Sequence, residues 1–172
     1  DWRRAELGPA HPDTLSALNN LGASLREQDK LAEAETAFRA VAEGQLARVG
    51  PRHPETLMAQ SNLGLTLLEL DRAEEGTALL RQVVEGRRAA LGADHPDAIM
   101  DLNSLAGALR IQGQLDEAVA LVAQAAERTE AVLGPQHDDT LLAQHNLAKG
   151  LMEAGRPAEA LVPARRALAA ES

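Results

Sequence analysis

The sequence predicts an all-α fold of about four stacked antiparallel helix pairs. Three observations carry that reading: an internal repeat of 42 residues, apolar spacing that is helical throughout, and aromatic residues that make up only 1 % of the chain. His11, His53, His95 and His137 recur at that period, as do Gly8, Gly50, Gly92 and Gly134. Leu21, Leu63, Leu105 and Leu147 keep the same offset, and so do Glu33, Glu75, Glu117 and Glu159. A period between 20 and 50 residues is the mark of a repeat architecture. With Trp2 and Phe38 the only aromatic residues, the core must be built from Leu, Val and Ala, which interdigitate well between closely packed helices.

Each period holds two helices. The first, A, is read from stripes such as Leu15, Leu18, Leu21, Gly22 and Leu25, matched by Ile99, Leu102, Leu105, Ala106 and Leu109. It opens at His-Pro-acidic-Thr, as in His11-Pro12-Asp13-Thr14, where proline suits the first turn and the carboxylate faces the positive end of the helix dipole. After a short polar break such as Gln28-Asp29-Lys30, the second helix, B, runs through Leu31, Ala34, Phe38 and Val41, matched by Leu115, Ala118, Val122 and Ala125. It closes at Leu-Gly or Val-Gly, where glycine can take the left-handed conformation that ends a helix. Breaks this short make A and B antiparallel neighbours.

The pattern Leu18-Asn19-Asn20-Leu21-Gly22, with Leu25, Glu33-Ala34 and Phe38, resembles the tetratricopeptide repeat. The long period and the Leu-Gly-x-x-His-Pro-Asp-Thr linker, seen from Leu7 to Thr14 and from Leu91 to Ala98, resemble the 42-residue variant of kinesin light chain and of many bacterial regulators. The small residues Gly22, Gly64, Ala106 and Ala148, paired with Ala34, Ala118 and Ala160, favour this resemblance over HEAT or armadillo repeats. It implies a right-handed superhelical solenoid over residues 1–172. By repeat phase, residues 1–8 are expected to be the end of a preceding B helix, and 9–50, 51–92, 93–134 and 135–172 four repeats, the last truncated. That phase, with no polar capping repeat, leads us to expect a piece of a longer protein, and the Ala, Leu, Arg and Gly content with scarce Lys points to a bacterial source. Three departures stand out: Gly76 for the B-helix alanine, Asp138 for the linker proline, and Pro163 inside the last B helix, where a kink or a start shifted within residues 157–163 is expected.

A formal net charge of −9 argues against a general nucleic-acid surface. Without cysteine there is no disulfide framework or thiolate zinc site, and no apolar run reaches the ~18 residues of a membrane span. A soluble cytoplasmic protein is the expectation, with neither nucleic acid nor membrane as partner. The four linker histidines sit one helix diameter or more apart, roughly 10 Å, too far to share a metal, so each is expected to cap or pack the turn before proline. No phosphate loop, nucleophile elbow or zinc protease motif occurs; neither an enzyme nor a cofactor is expected.

Function is expected on the A helices, which in the resembled family line a concave face. By register, the groove candidates are Asn19, Ser61, Asn103 and His145; Asn20, Asn62, Ser104 and Asn146; Leu65 and Lys149; and Arg26 and Arg110. The resemblance implies that Asn20, Asn62 and Asn146 hold an extended peptide, since an amide both donates to and accepts from a backbone; the competing role is hydrogen bonding within the array. Arg26, Arg110 and Lys149 suit carboxylates of an acidic peptide, or are ordinary solvated charges. Ala23 and Gly107, beside Leu65, Leu68, Met58, Met100 and Met152, make the groove partly apolar, although apolar residues at helical spacing are mostly core. The leading reading is a protein-interaction scaffold. The alternative is a self-association or regulatory module of a larger signalling protein, acting through its end repeats or outer helices.

Overall fold

The computed structural model describes residue 8 and residues 10–168. Trp2 and most of the expected end of a preceding helix over residues 1–8 lie outside the described residues. Eight α-helices are found among those described, and no strand. They fall into two compact units, residues 1–91 and 92–172.

The first unit holds α1 (Pro12–Glu27), α2 (Leu31–Val49), α3 (Pro54–Glu69) and α4 (Ala73–Leu91), each packed on the next in sequence. The second holds α5 (Pro96–Ile111), α6 (Leu115–Leu133), α7 (Asp138–Glu153) and α8 (Pro157–Leu168), packed in the same order. This is the all-α, TPR-like arrangement of helix pairs that the repeat predicts.

Every A helix starts on a histidine. Backbone N–H groups of Asp13, Glu55, Asp97 and Asp139 donate to Nδ1 of His11, His53, His95 and His137 at 3.2 to 3.3 Å. Histidine is not among the usual N-caps, yet its ring nitrogen here satisfies an orphan donor of the first turn. The threonine of the same segment adds a tie to the preceding helix: the hydroxyls of Thr56 and Thr140 donate to the carbonyls of Gly50 and Gly134 at 2.7 Å. Those glycines correct one expectation. Gly50 and Gly134 have φ 87° with ψ 173° and 164°, an extended, essentially glycine-only conformation and not the left-handed helical one. The left-handed residues instead form the turn between A and B, at Asp29 (φ 60°), Asp71 (φ 59°), Gly113 and Gly155. There the N–H of the following residue reaches back five residues, as in Arg72 to the Leu67 carbonyl at 2.9 Å, closing a Schellman motif.

The core of the first unit gathers Ala34, Phe38, Val41 and Ala42 of α2 with Ala59, Leu63 and Leu67 of α3. Small residues set the helix spacing. A Cβ at Gly22 would lie 2.9 Å from the Phe38 ring, and one at Gly76 would lie 2.7 Å from the Gly64 carbonyl oxygen. Gly76, a departure from the repeat pattern, is therefore required by close approach of two backbones. In the second unit a different set, Val119 of α6, Ala148 and Leu151 of α7 and Ala160 of α8, forms a core cluster. The A-helix stripe fails at one place: Leu21 is exposed, whereas Leu63 at the same repeat position is buried against α2, and no described helix precedes α1 to do the same for Leu21. Met58, Met100 and Met152 are also exposed, against the expectation of core, while Leu68 is buried. Finally, α8 begins at Pro157, in register with Leu115 of α6, so no late start is caused by Pro163; its ring is buried at the position Ala37 occupies in α2.

Candidate functional site

Repeat register places Asn19 on α1 and Asn62 on α3 on adjoining A helices of the first unit. Their amides meet: Nδ2 of Asn62 donates to Oδ1 of Asn19 at 3.1 Å. Asn103 on α5 and Asn146 on α7 occupy the same two positions in the second unit, two periods further on. Both are exposed, and among the described residues neither amide has a hydrogen-bond partner. Each lines two hollows of the second unit, so the pair sits where the hollows meet.

One hollow, of about 200 Å³, lies among the C-terminal halves of α5 and α7 and the start of α6; Gly107, Val122 and Gly150 bound it on the apolar side, Arg110, Lys149 and Glu153 on the polar side. The other, of about 460 Å³, lies toward the N-terminal ends of α5 and α7 and is walled by Ile99, Met100, Val132, Leu133 and Leu142. Met100, Val132, Leu133 and Leu142 are all more than 40 % exposed, which makes this wall an apolar surface patch of the kind that marks interaction sites.

The charges flanking the A helices are mostly committed. Arg26 Nε lies 4.0 Å from Glu69, and Arg110 Nη1 lies 3.7 Å from Glu153; the same pair recurs in each unit. These arginines therefore do not stand as lone cations for a peptide carboxylate, as the sequence allowed. Lys149, which is exposed and on the rim of the smaller hollow, has no ion pair among the described residues. Elsewhere Glu35 accepts from Arg39 at 2.5 Å and from Arg72 at 2.7 Å. Those two guanidinium hydrogen bonds hold its carboxyl below the usual 4.5. Arg72 also grips Glu75 through two nitrogens, at 2.7 and 2.6 Å, and Arg156 grips Glu159 in the same way at 2.7 Å; both carboxyls are lowered in consequence.

Of the residues singled out from sequence, Asn103, Arg110, Asn146 and Lys149 come together around the second unit's hollows. Asn19 and Asn62 bond to each other, and Arg26 borders a hollow at the end of α1 and α3 with Glu69. Asn20 is exposed, and Ser61 and Leu65 are partly buried, away from that hollow. His145 and Ser104 line neither hollow of the second unit, and the Ser104 hydroxyl donates to the Met100 carbonyl at 3.2 Å. Sequence reasoning missed the walls supplied by B helices, Val122, Val132 and Leu133, and the role of Gly150. A signal existed: position 122 shrinks from Phe38 in the first copy, and position 150 loses the side chain of Thr66.

Two units of adjacent helix pairs with an open A-helix face define a helical repeat protein. The chain belongs to the tetratricopeptide repeat family, whose profile matches residues 13–89 and 98–170. Repeats of this family serve in general as protein-interaction scaffolds. Among solved structures, the chain is similar to kinesin light chain TPR-like repeats from Podosopora anserina, with TM-score 0.84 and 27 % identity, over 92 % of this chain and 75 % of that one. A singly substituted form of the same repeats gives TM-score 0.83 and 28 % identity with the same coverage. BtubC (BKLC) from P. vanneervenii gives TM-score 0.83 at 14 % identity, over 92 % of this chain and 63 % of that one, a likeness of fold. No curated protein matches the chain. Among the described residues, no helix is long and apolar enough to cross a membrane.

Proposed function

We propose that this chain is a non-enzymatic scaffold that holds an extended segment of a partner protein against its A helices, and that in the second unit the segment lies along α5 and α7. The observation that carries this reading is the pair Asn103 and Asn146: two exposed amides without hydrogen-bond partners among the described residues, standing where an apolar hollow and a polar-rimmed one meet. An amide offers one acceptor and two donor hydrogens, which matches the N–H and C=O groups that an extended backbone presents. The apolar wall at Met100 and Leu142 supplies adaptable contact area for side chains, and Lys149 supplies a cation. Membership of a family of interaction scaffolds agrees with it. In the first unit the corresponding amides satisfy each other, so that site is the weaker of the two. The test is a peptide-display selection on the full chain, counter-screened with an Asn103→Ala, Asn146→Ala double variant shown by circular dichroism to be folded. Peptides sharing a motif and lost on the double variant support the groove; enrichment that ignores the substitutions contradicts it.

A second reading is favoured by α8, where Leu161, Val162 and Leu168 are each at least 58 % exposed. Such a face suits packing on another copy of the chain or on a neighbouring domain of a regulatory protein. Light scattering over a range of concentrations decides it: a rising mass that Leu161→Glu returns to monomer supports association, and a constant monomer mass excludes it.

A further inference from the structure

The two units use one repeat design but fill it differently. In the first, the Phe38 ring is buried against Gly22, only 1 % exposed, and packs with α3. In the second, Val122 stands in place of Phe38, Gly107 in place of Ala23, and Gly150 in place of Thr66. The backbone did not collapse to compensate: a Cβ at Gly107 would meet nothing within 4 Å, and one at Gly150 would meet only the Val119 methyl at 3.6 Å. The result is the hollow of about 200 Å³, partly open to solvent, bounded by Gly107, Val122 and Gly150. At its rim Lys149 replaces Leu65, so the entrance is cationic in a chain of net charge −9.

We infer that this hollow is a specificity pocket for one leucine- or phenylalanine-sized side chain of the partner segment, which supplies from outside what Phe38 supplies from within in the first unit. The inference rests on the groove reading above and adds the class of side chain recognised. Lys149 fixes the direction of the segment: a carboxylate next to the inserted side chain, from an Asp, a Glu or a chain end, faces its ammonium, because Arg110 is already paired with Glu153. Ala106, Ala118 and Val122 supply the apolar wall against which the inserted group packs, while Asn103, Asn146 and Lys149 line the polar side, where the backbone and the carboxylate of the segment lie.

The experiment is a titration of the full 15N-labelled chain, followed by NMR, with N-acetyl-phenylalanine amide, N-acetyl-leucine amide and N-acetyl-glycine amide. The expected result is saturable shifts for the amides of Gly107, Val122 and Gly150 with the first two compounds and none with the third. N-acetyl-phenylalanine with its free carboxylate should bind about two- to fivefold more tightly than the amide, the gain of one exposed ion pair, and Lys149→Ala should erase that preference. Gly107→Leu should weaken binding at least about tenfold, as expected for loss of one buried apolar group. The milder Gly107→Ala and Gly150→Ala, whose added methyls fit, should weaken it without disturbing the fold. Absence of saturable shifts with both the phenylalanine and leucine compounds overturns the inference, as do shifts unchanged in Gly107→Leu. The two readings fail separately. Displayed peptides that need Asn103 and Asn146 yet bind Gly107→Leu unimpaired leave the groove and remove the pocket; saturable shifts at Gly107 without any selected peptide leave the pocket and remove the groove.

Discussion

Asn62 donates its side-chain amide to Asn19 across 3.1 Å, tying α3 to α1, while Asn103 and Asn146, at the same two repeat positions, remain open beside the hollows of the second unit. The same residue types at the same register thus serve two ends. The consequence is a separation of effects. Asn62→Ala removes one inter-helix hydrogen bond, which costs about 0.5–1.5 kcal/mol of stability, with little effect on ligand. Asn146→Ala leaves the melting temperature near that of the parent and weakens peptide binding. Thermal unfolding and peptide titration on both variants check this.

Two glycines at helix crossings should respond oppositely to alanine. At Gly76 the new methyl would press on the Gly64 carbonyl at 2.7 Å, and backbone cannot yield as a side chain can; overpacking of this kind costs about 1–3 kcal/mol, against about 1 kcal/mol gained in helix propensity. Gly76→Ala is expected to be destabilising overall. Gly107→Ala meets open space and should stabilise by up to about 1 kcal/mol. Urea denaturation of the two variants reads the difference in sign.

Asp71 is held at φ 59° at the end of α3, a left-handed conformation that glycine adopts freely and other residues adopt at a cost of about 1–2 kcal/mol. The second unit already has glycine at both such turns, Gly113 and Gly155. Asp71→Gly should therefore raise stability by up to about 1 kcal/mol, reduced by the greater freedom glycine has when unfolded. A lowered melting temperature would contradict this account of the turn.

The histidine caps make a common prediction for the A helices. His53→Ala leaves the Glu55 N–H without its acceptor and should cost about 0.5–2 kcal/mol; His53→Asn, whose side chain is a preferred cap, should restore most of it. Hydrogen exchange at the first turn of α3 follows the local effect, and faster exchange in the alanine variant than in the asparagine variant is the expected order.

Acid should weaken the arginine-gripped carboxylates. The carboxyls of Glu35, Glu75 and Glu159 are lowered from 4.5 by their guanidinium partners. A depressed folded-state value contributes stability that is present above the unfolded value and is lost as pH falls through the folded one. These groups therefore add nothing to the pH dependence near neutrality and reduce stability below about pH 4.5. Melting temperature against pH should fall less steeply at the acid end for Arg72→Gln than for the parent, and added salt should reduce the difference, since Glu75 and Glu159 are exposed.

Most of the architecture could be read from the residues because it is written as periodicity. The histidine that recurs every 42 residues, followed two positions later by an acidic residue, marked where each A helix starts, and four histidines capping four helices is the local physics behind it. Legibility ended where a property depends on two residues distant in sequence. Whether Asn62 binds a ligand or Asn19 cannot be told from either alone, and Arg26 and Arg110 looked like free cations until Glu69 and Glu153 came within 4.0 and 3.7 Å. The hollow of the second unit is likewise a joint property of Val122 on a B helix and Gly107 and Gly150 on two A helices. Met58, Met100 and Met152 went to the surface because a position at the edge of an apolar stripe is buried only when a neighbouring helix covers it. The shape of Gly50 and Gly134 escaped because positive φ alone does not choose between a helical and an extended ψ.

Partner recognition on the α5–α7 face of the second unit is open to isothermal titration of one display-selected peptide against the parent chain, Asn62→Ala and Asn146→Ala. Equal affinity is expected for the parent and Asn62→Ala, with a loss of at least about fivefold for Asn146→Ala, the worth of about one hydrogen bond to an amide. Equal affinity for the parent and Asn146→Ala, or a loss confined to Asn62→Ala, would contradict it.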